Sequence, residues 1–93
     1  MHLAILTIRF QLPGCRSLKE KRRRLSGLKD KFGKIHNIAV SEADFHDRHQ
    51  QAEWYFAIIS NDKTLIEQQI TKIELHAASE LDAVVEDCRR EWL

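Results

Sequence analysis

The residues best suited to chemistry are cations crowded into one stretch, Arg16-Ser-Leu-Lys-Glu-Lys-Arg-Arg-Arg24, followed by Lys29, Lys31 and Lys34. Residues 16–34 hold nine Lys or Arg against Glu20 and Asp30, so this stretch carries about +7, the remainder about −6, and the whole chain +1. Such a concentration suits a phosphate-bearing ligand, and free amides at a helix start add to the attraction. Nucleic acid is the matching polyanion, because a basic helix can track a phosphate backbone without reading bases. The candidate anion-contacting residues are Arg16, Ser17, Lys19, Lys21, Arg22, Arg23, Arg24 and Lys29. The alternative is a solvated face, whose Lys and Arg favour the helix and pair with acids elsewhere in the fold.

Other reactive groups are sparse. Cys15 stands beside Arg16 and near a helix start, an environment that lowers a thiol pKa, but a buried or incidental cysteine is the expectation. Arg16 with Cys15 or a histidine would supply the parts of a small phosphate-ester or acyl-phosphate enzyme. His46 and His49 stand at HxxH spacing beside Glu42, Asp44 and Asp47. A loop fixes no common face for them and no cysteine ligand is near, so a solvated loop is expected and no metal. The chain lacks a nucleophile elbow, a P-loop, a dinucleotide-binding glycine pattern and a CxxC pair. A non-enzymatic domain without a cofactor is the expectation.

The elements that must position the basic stretch follow from hydropathy patterning. His2–Phe10 reads as a strand with Ala4, Leu6, Ile8 and Phe10 on one face, closed by the turn signal Leu12-Pro-Gly14. Ser17-Leu-Lys-Glu20 has the form of a capping box, in which the Ser17 hydroxyl accepts from the Glu20 amide and the Glu20 carboxylate reaches back. Leu18, Leu25, Leu28, Phe32 and Ile35 then form an apolar stripe on a helix ending near Gly33 or Lys34. A short strand over Asn37–Ala43, a polar His-rich loop over Asp44–Gln51 and a strong strand over Ala52–Ile59 come next. Ser60-Asn-Asp62 offers caps for a second helix with Ile66, Ile70, Ile73 and Ala77 on its apolar face, and Leu81–Cys88 reads as the closing strand.

The order β-α-β-β-α-β predicts an α+β, ferredoxin-like sandwich: one domain over residues 1–93, with a four-stranded antiparallel sheet and two helices on one face. The other sheet face would be open, with Leu3, Ile5, Thr7 and part of Trp54–Ile59 on it. A homodimer through that face, with the basic helix docking an acidic partner, is the alternative to an RNA- or ribosome-associated role. No segment is long and apolar enough to span a bilayer and no leader pattern precedes the first strand, so a cytoplasmic protein without membrane contact is expected, with Cys15 and Cys88 as reduced thiols.

RNA-recognition domains share this topology, but their third strand carries a Lys/Arg-Gly-Phe/Tyr-Gly/Ala-Phe pattern where this chain reads Gln51-Ala-Glu-Trp-Tyr-Phe-Ala57. Acylphosphatases also share it, but Gln11-Leu-Pro-Gly-Cys-Arg16 lacks their longer glycine-rich loop. Leu12-Pro-Gly-Cys-Arg-Ser-Leu-Lys-Glu-Lys-Arg22, Val40-Ser-Glu-Ala-Asp44, Ser60-Asn-Asp62 and Glu91-Trp-Leu93 together resemble the YlxP-like family, a bacterial domain family of unknown function. The resemblance covers nearly the whole chain. It implies a ferredoxin-like fold and, for many members, a gene neighbourhood of translation and ribosome-maturation factors, and it implies no catalytic residues. His46-Asp-Arg-His49 departs from the family pattern.

Overall fold

Burial alternates along β1 (His2–Gln11): Ala4, Leu6, Ile8 and Phe10 are fully buried, while Leu3, Ile5, Thr7 and Arg9 are half-buried. This two-residue period puts one face of the strand against helices and leaves the other outward. The computed structural model describes residues Met1–Leu93, in which β1 is followed by α1 (Leu18–Phe32), β2 (Ile38–Asp44), β3 (Gln51–Ser60), α2 (Lys63–Ser79) and β4 (Val84–Trp92). The strands form one antiparallel sheet in the order β2-β3-β1-β4, the ferredoxin-like arrangement expected from the sequence.

Register aligns the core-facing residues of the two central strands, with Ala4 opposite Ile58, Leu6 opposite Phe56, Ile8 opposite Trp54 and Phe10 opposite Ala52. Leu25, Leu28 and Phe32 of α1 and Ile66, Ile70, Ile73 and Ala77 of α2 complete a core of seventeen buried residues. Phe32 meets Phe56 edge to face at 6.3 Å. Burying that much aliphatic and aromatic surface is the main stabilising term for so small a domain.

Two local expectations are corrected. The Ser17 hydroxyl does accept the Glu20 amide at 3.0 Å, but the Glu20 carboxylate turns to Arg24 one helical turn on, at 2.8 Å, so only half of the capping box forms. The last strand runs over Val84–Trp92 rather than Leu81–Cys88, because Leu81 and Ala83 pack on the core from the preceding turn. No helix is long and apolar enough to cross a membrane.

Candidate functional site

The seven-residue step between Leu18 and Leu25 leaves position 21 on the buried stripe of α1, and a lysine occupies it. Lys21 is only 3% exposed. Its Nζ donates to the carbonyl oxygens of Phe45 at 2.7 Å and Arg48 at 2.9 Å and lies 3.2 Å from the Glu42 carboxylate. The ammonium therefore has three oxygen partners, as a buried cation requires. Phe45 has φ 64°, a left-handed conformation that costs a residue with a Cβ about 1–2 kcal/mol. Asp44 Oδ1 accepts its amide at 2.7 Å, Lys21 holds its carbonyl, and its ring sits under the guanidinium groups of Arg9 and Arg48 at 5.2 and 5.6 Å. Lys21 thus organises the β2–β3 loop and has no free donor to offer a ligand.

Arg24 is similarly committed. It pairs with Glu20 at 2.8 Å and with Asp82 at 3.4 Å, and its Nη1 donates to the Pro13 carbonyl at 3.0 Å. These contacts tie α1 to the turn before β4 and to the loop that follows β1. Ser17 is used as the helix cap.

The remaining candidates present a different picture. Arg16, Lys19, Arg22, Arg23 and Lys29 are all exposed, and none makes an ion pair. At 3.6 residues per turn, positions 19, 22, 23, 26 and 29 fall on one side of α1, opposite Lys21, Leu25, Leu28 and Phe32. Asp30 is the one acid on this outer face. Of the eight predicted residues, Lys19, Arg22, Arg23 and Lys29 share the outer face of α1, Arg16 is exposed just before its cap, and three are structural.

The other sequence candidates have ordinary surroundings. The Cys15 thiol is buried in the core and donates to the Ser17 carbonyl at 3.4 Å, the buried position that the sequence also allowed. His46 and His49 are exposed in the β2–β3 loop, and no group of three metal-ligating side chains forms anywhere in the molecule. A cleft of about 680 Å³ opens beside that loop, lined by Gln11, Pro13, Cys15, Asp47, Arg48 and His49 among others. It is wide, its lining mixes polar and apolar surface, and Cys15 and His49 both border it. Both cysteines are free.

Two clusters had no counterpart in the sequence reading. On the helix side of β4, Arg90 pairs with Glu74 of α2 and holds its carboxyl below the ordinary range. Cys88 Sγ lies 3.2 Å from the same carboxylate, and desolvation together with that neighbour pushes the thiol up to about 12. At the seam between the helices, His76 packs edge to face on Phe32 at 5.4 Å with both ring nitrogens buried and without partners. Burial, reinforced by Lys31 and opposed by Glu80, lowers its pKa below the usual 6.5.

On the open sheet face, Tyr55 and Ile59 are 46% and 43% exposed beside Leu3, Ile5 and Ala57. One end of that face is closed by polar groups: Arg9 donates to Glu53 at 3.0 Å, with Arg89 3.7 Å from the same carboxylate. Trp54 and Phe56 face the helices instead, as the alternation of β3 requires.

Comparison with known proteins agrees with the fold. The structural-genomics protein YJCS superposes with a TM-score of 0.62 at 10% identity, covering 96% of each chain, a likeness of fold alone. The SecDF periplasmic domain P4 gives a TM-score of 0.47 at 20% identity over 98% of this chain and 88% of that one. No curated protein matches the sequence. The model of a family described as protein of unknown function DUF503 matches residues 3–90, nearly the whole chain, and the protein therefore belongs to the DUF503 family.

Proposed function

We propose that this is a non-enzymatic cytoplasmic accessory domain that holds RNA, free or within a ribosomal particle, against the outer face of α1. The observation that carries the reading is the set of five exposed cations, Arg16, Lys19, Arg22, Arg23 and Lys29, without an acidic partner among them. A phosphate backbone laid along such a face releases its condensed counterions, so affinity falls steeply with salt while sequence preference stays low. Lys21 and Arg24 act on the protein side of the same helix, fixing its position on the sheet. The resemblance to the YlxP-like family, with its gene neighbourhood of translation factors, supports the same reading.

Binding of the purified protein to structured RNA and to a ribosomal fraction across a salt series tests it, with Arg22→Glu/Arg23→Glu as the control. Salt-steep binding that the double variant loses is the expected result. Absence of binding at low salt rejects the reading.

A second reading is a homodimer that buries the open sheet face, favoured by the exposure of Tyr55 and Ile59. Mass measurement in solution decides it. A dimer that Tyr55→Glu dissociates supports this arrangement, and a monomer that binds RNA removes it.

A further inference from the structure

The two edges of the sheet are protected very differently. β4 carries Glu86, Asp87, Arg89, Arg90 and Glu91 within its nine residues. Charges of this density, with the irregular register opposite Arg9 and Phe10, discourage another strand from pairing there. β2 has no Lys, Arg or Pro over Ile38-Ala-Val-Ser-Glu-Ala43, and its one charge in that run, Glu42, is held by Lys21. The Asn37 carbonyl accepts the Ile59 amide at 3.1 Å, which sets the alternation of the ladder. The backbone groups of Ala39 and Ser41 turn toward β3, and those of Val40 and Glu42 point away from the sheet.

Beside this bare edge, a groove of about 410 Å³ runs between α1 and β2. Leu25, Val40 and Trp54 contribute its apolar lining, Arg22 and Lys29 stand on the helix side, and Asp30 is its unpaired acid. Trp54 Nε1 is buried and donates to no acceptor. A strand added to β2 would turn alternate side chains into this groove. Arg22 and Lys29 are two helical turns apart, about 10 Å, and residues i and i+4 of a strand are about 13 Å apart, a difference that long side chains span.

We propose that β2 receives an extended acidic segment of a partner protein by strand addition, pairing with the backbone of Val40 and Glu42. Acidic side chains at i and i+4 meet Arg22 and Lys29, and an apolar side chain at i+2 rests on Leu25, Val40 and Trp54. A second copy of this chain fits less well, because β2-to-β2 pairing would bring together the cations of two α1 helices. The site shares Arg22 and Lys29 with the proposed RNA face, while its backbone groups and apolar lining from Leu25, Val40 and Trp54 are its own.

The chain has two tryptophans, so Trp92→Phe leaves Trp54 as the sole reporter in the groove. The probe is a capped peptide of about ten residues with Glu and Val alternating on one face and Thr on the other, against the same peptide with Lys in place of Glu. At low salt the Glu peptide is expected to shift Trp54 emission and slow amide exchange at Val40 and Glu42, with the Lys peptide weaker by about tenfold or more. Val40→Pro removes an outward amide without touching the ladder to β3, and is expected to weaken binding by about tenfold. Arg22→Glu/Lys29→Glu, at exposed positions, is expected to do the same and remains informative if the proline variant fails to fold. No response to the Glu peptide up to about millimolar concentration, or binding unchanged in Arg22→Glu/Lys29→Glu, overturns the proposal. Protection of Val40 and Glu42 by oligouridylate and not by the peptide also overturns it and assigns the groove to the RNA surface.

Discussion

Lys21 and Arg22 are adjacent cations on one helix with opposite surroundings. Lys21 is buried and bound to two carbonyls and a carboxylate, while Arg22 is exposed with no acidic partner. The inner face of α1 uses positive charge to fasten a loop to the sheet. Its outer face leaves positive charge unspent. Composition alone cannot separate these two uses, because both residues contribute identically to the net charge. What separates them is helical phase, a rotation of 100° between neighbours, set by the apolar stripe.

Stability should separate Lys21 from Arg22 most widely. Lys21→Met removes the partner of two buried carbonyls and of Glu42 and should destabilise the fold by about 3 kcal/mol, whereas Arg22→Met should change it by less than about 0.5 kcal/mol. Denaturant unfolding of the two variants measures the contrast, and equal effects would show that burial does not distinguish them. Arg24→Met should fall between, at about 1 kcal/mol, since one of its acids, Asp82, is largely exposed.

His76 sharpens the same contrast, because it is a basic group on the inner side of the helix layer that lacks the acceptors Lys21 has. Its folded pKa lies below the unfolded value near 6.5, so the unfolded chain binds the proton first as pH falls. Stability should therefore be level with respect to His76 above that value and decline below it. Thermal unfolding between about pH 5 and 8 should show a shallower decline in His76→Leu than in the wild type, and superimposable pH profiles would dismiss the role.

The smallest effect concerns Cys88. With its thiol pushed from an ordinary 9.0 to about 12, Cys88 should alkylate slowly at neutral pH despite being surface-exposed, and Glu74→Gln should speed the reaction with little change in stability. The rate of iodoacetamide labelling checks this, and fast labelling in the wild type would contradict it.

Much of the fold is legible in the sequence. Ala4, Leu6, Ile8 and Phe10 alternate over a full strand, and Ile66, Ile70, Ile73 and Ala77 keep the helical period, so local pattern and tertiary burial coincide. Element ends are less so: β4 has no alternating apolar residues beyond Val85, and its position depends on pairing with β1. In the candidate site, the excess of charge is evident from composition, but its division is not. The gap in the stripe between Leu18 and Leu25 marks position 21 as inward, a signal that the positive charge of lysine obscures. Of the partners that bind Arg24, Glu20 is a local neighbour one helical turn back, but Pro13 and Asp82 lie 11 and 58 residues away, and no local rule brings them there.

On the proposed function, the outer cations of α1, not the inner ones, meet RNA. It is tested most directly by the salt dependence of RNA affinity in the wild type and in Lys19→Gln/Arg22→Gln/Arg23→Gln/Lys29→Gln. Five phosphate contacts to single-stranded RNA predict a slope of log affinity on log salt of roughly −3.5, and loss of four should bring it to roughly −0.7. The same slope in both proteins, or no salt dependence in the wild type, would contradict the account.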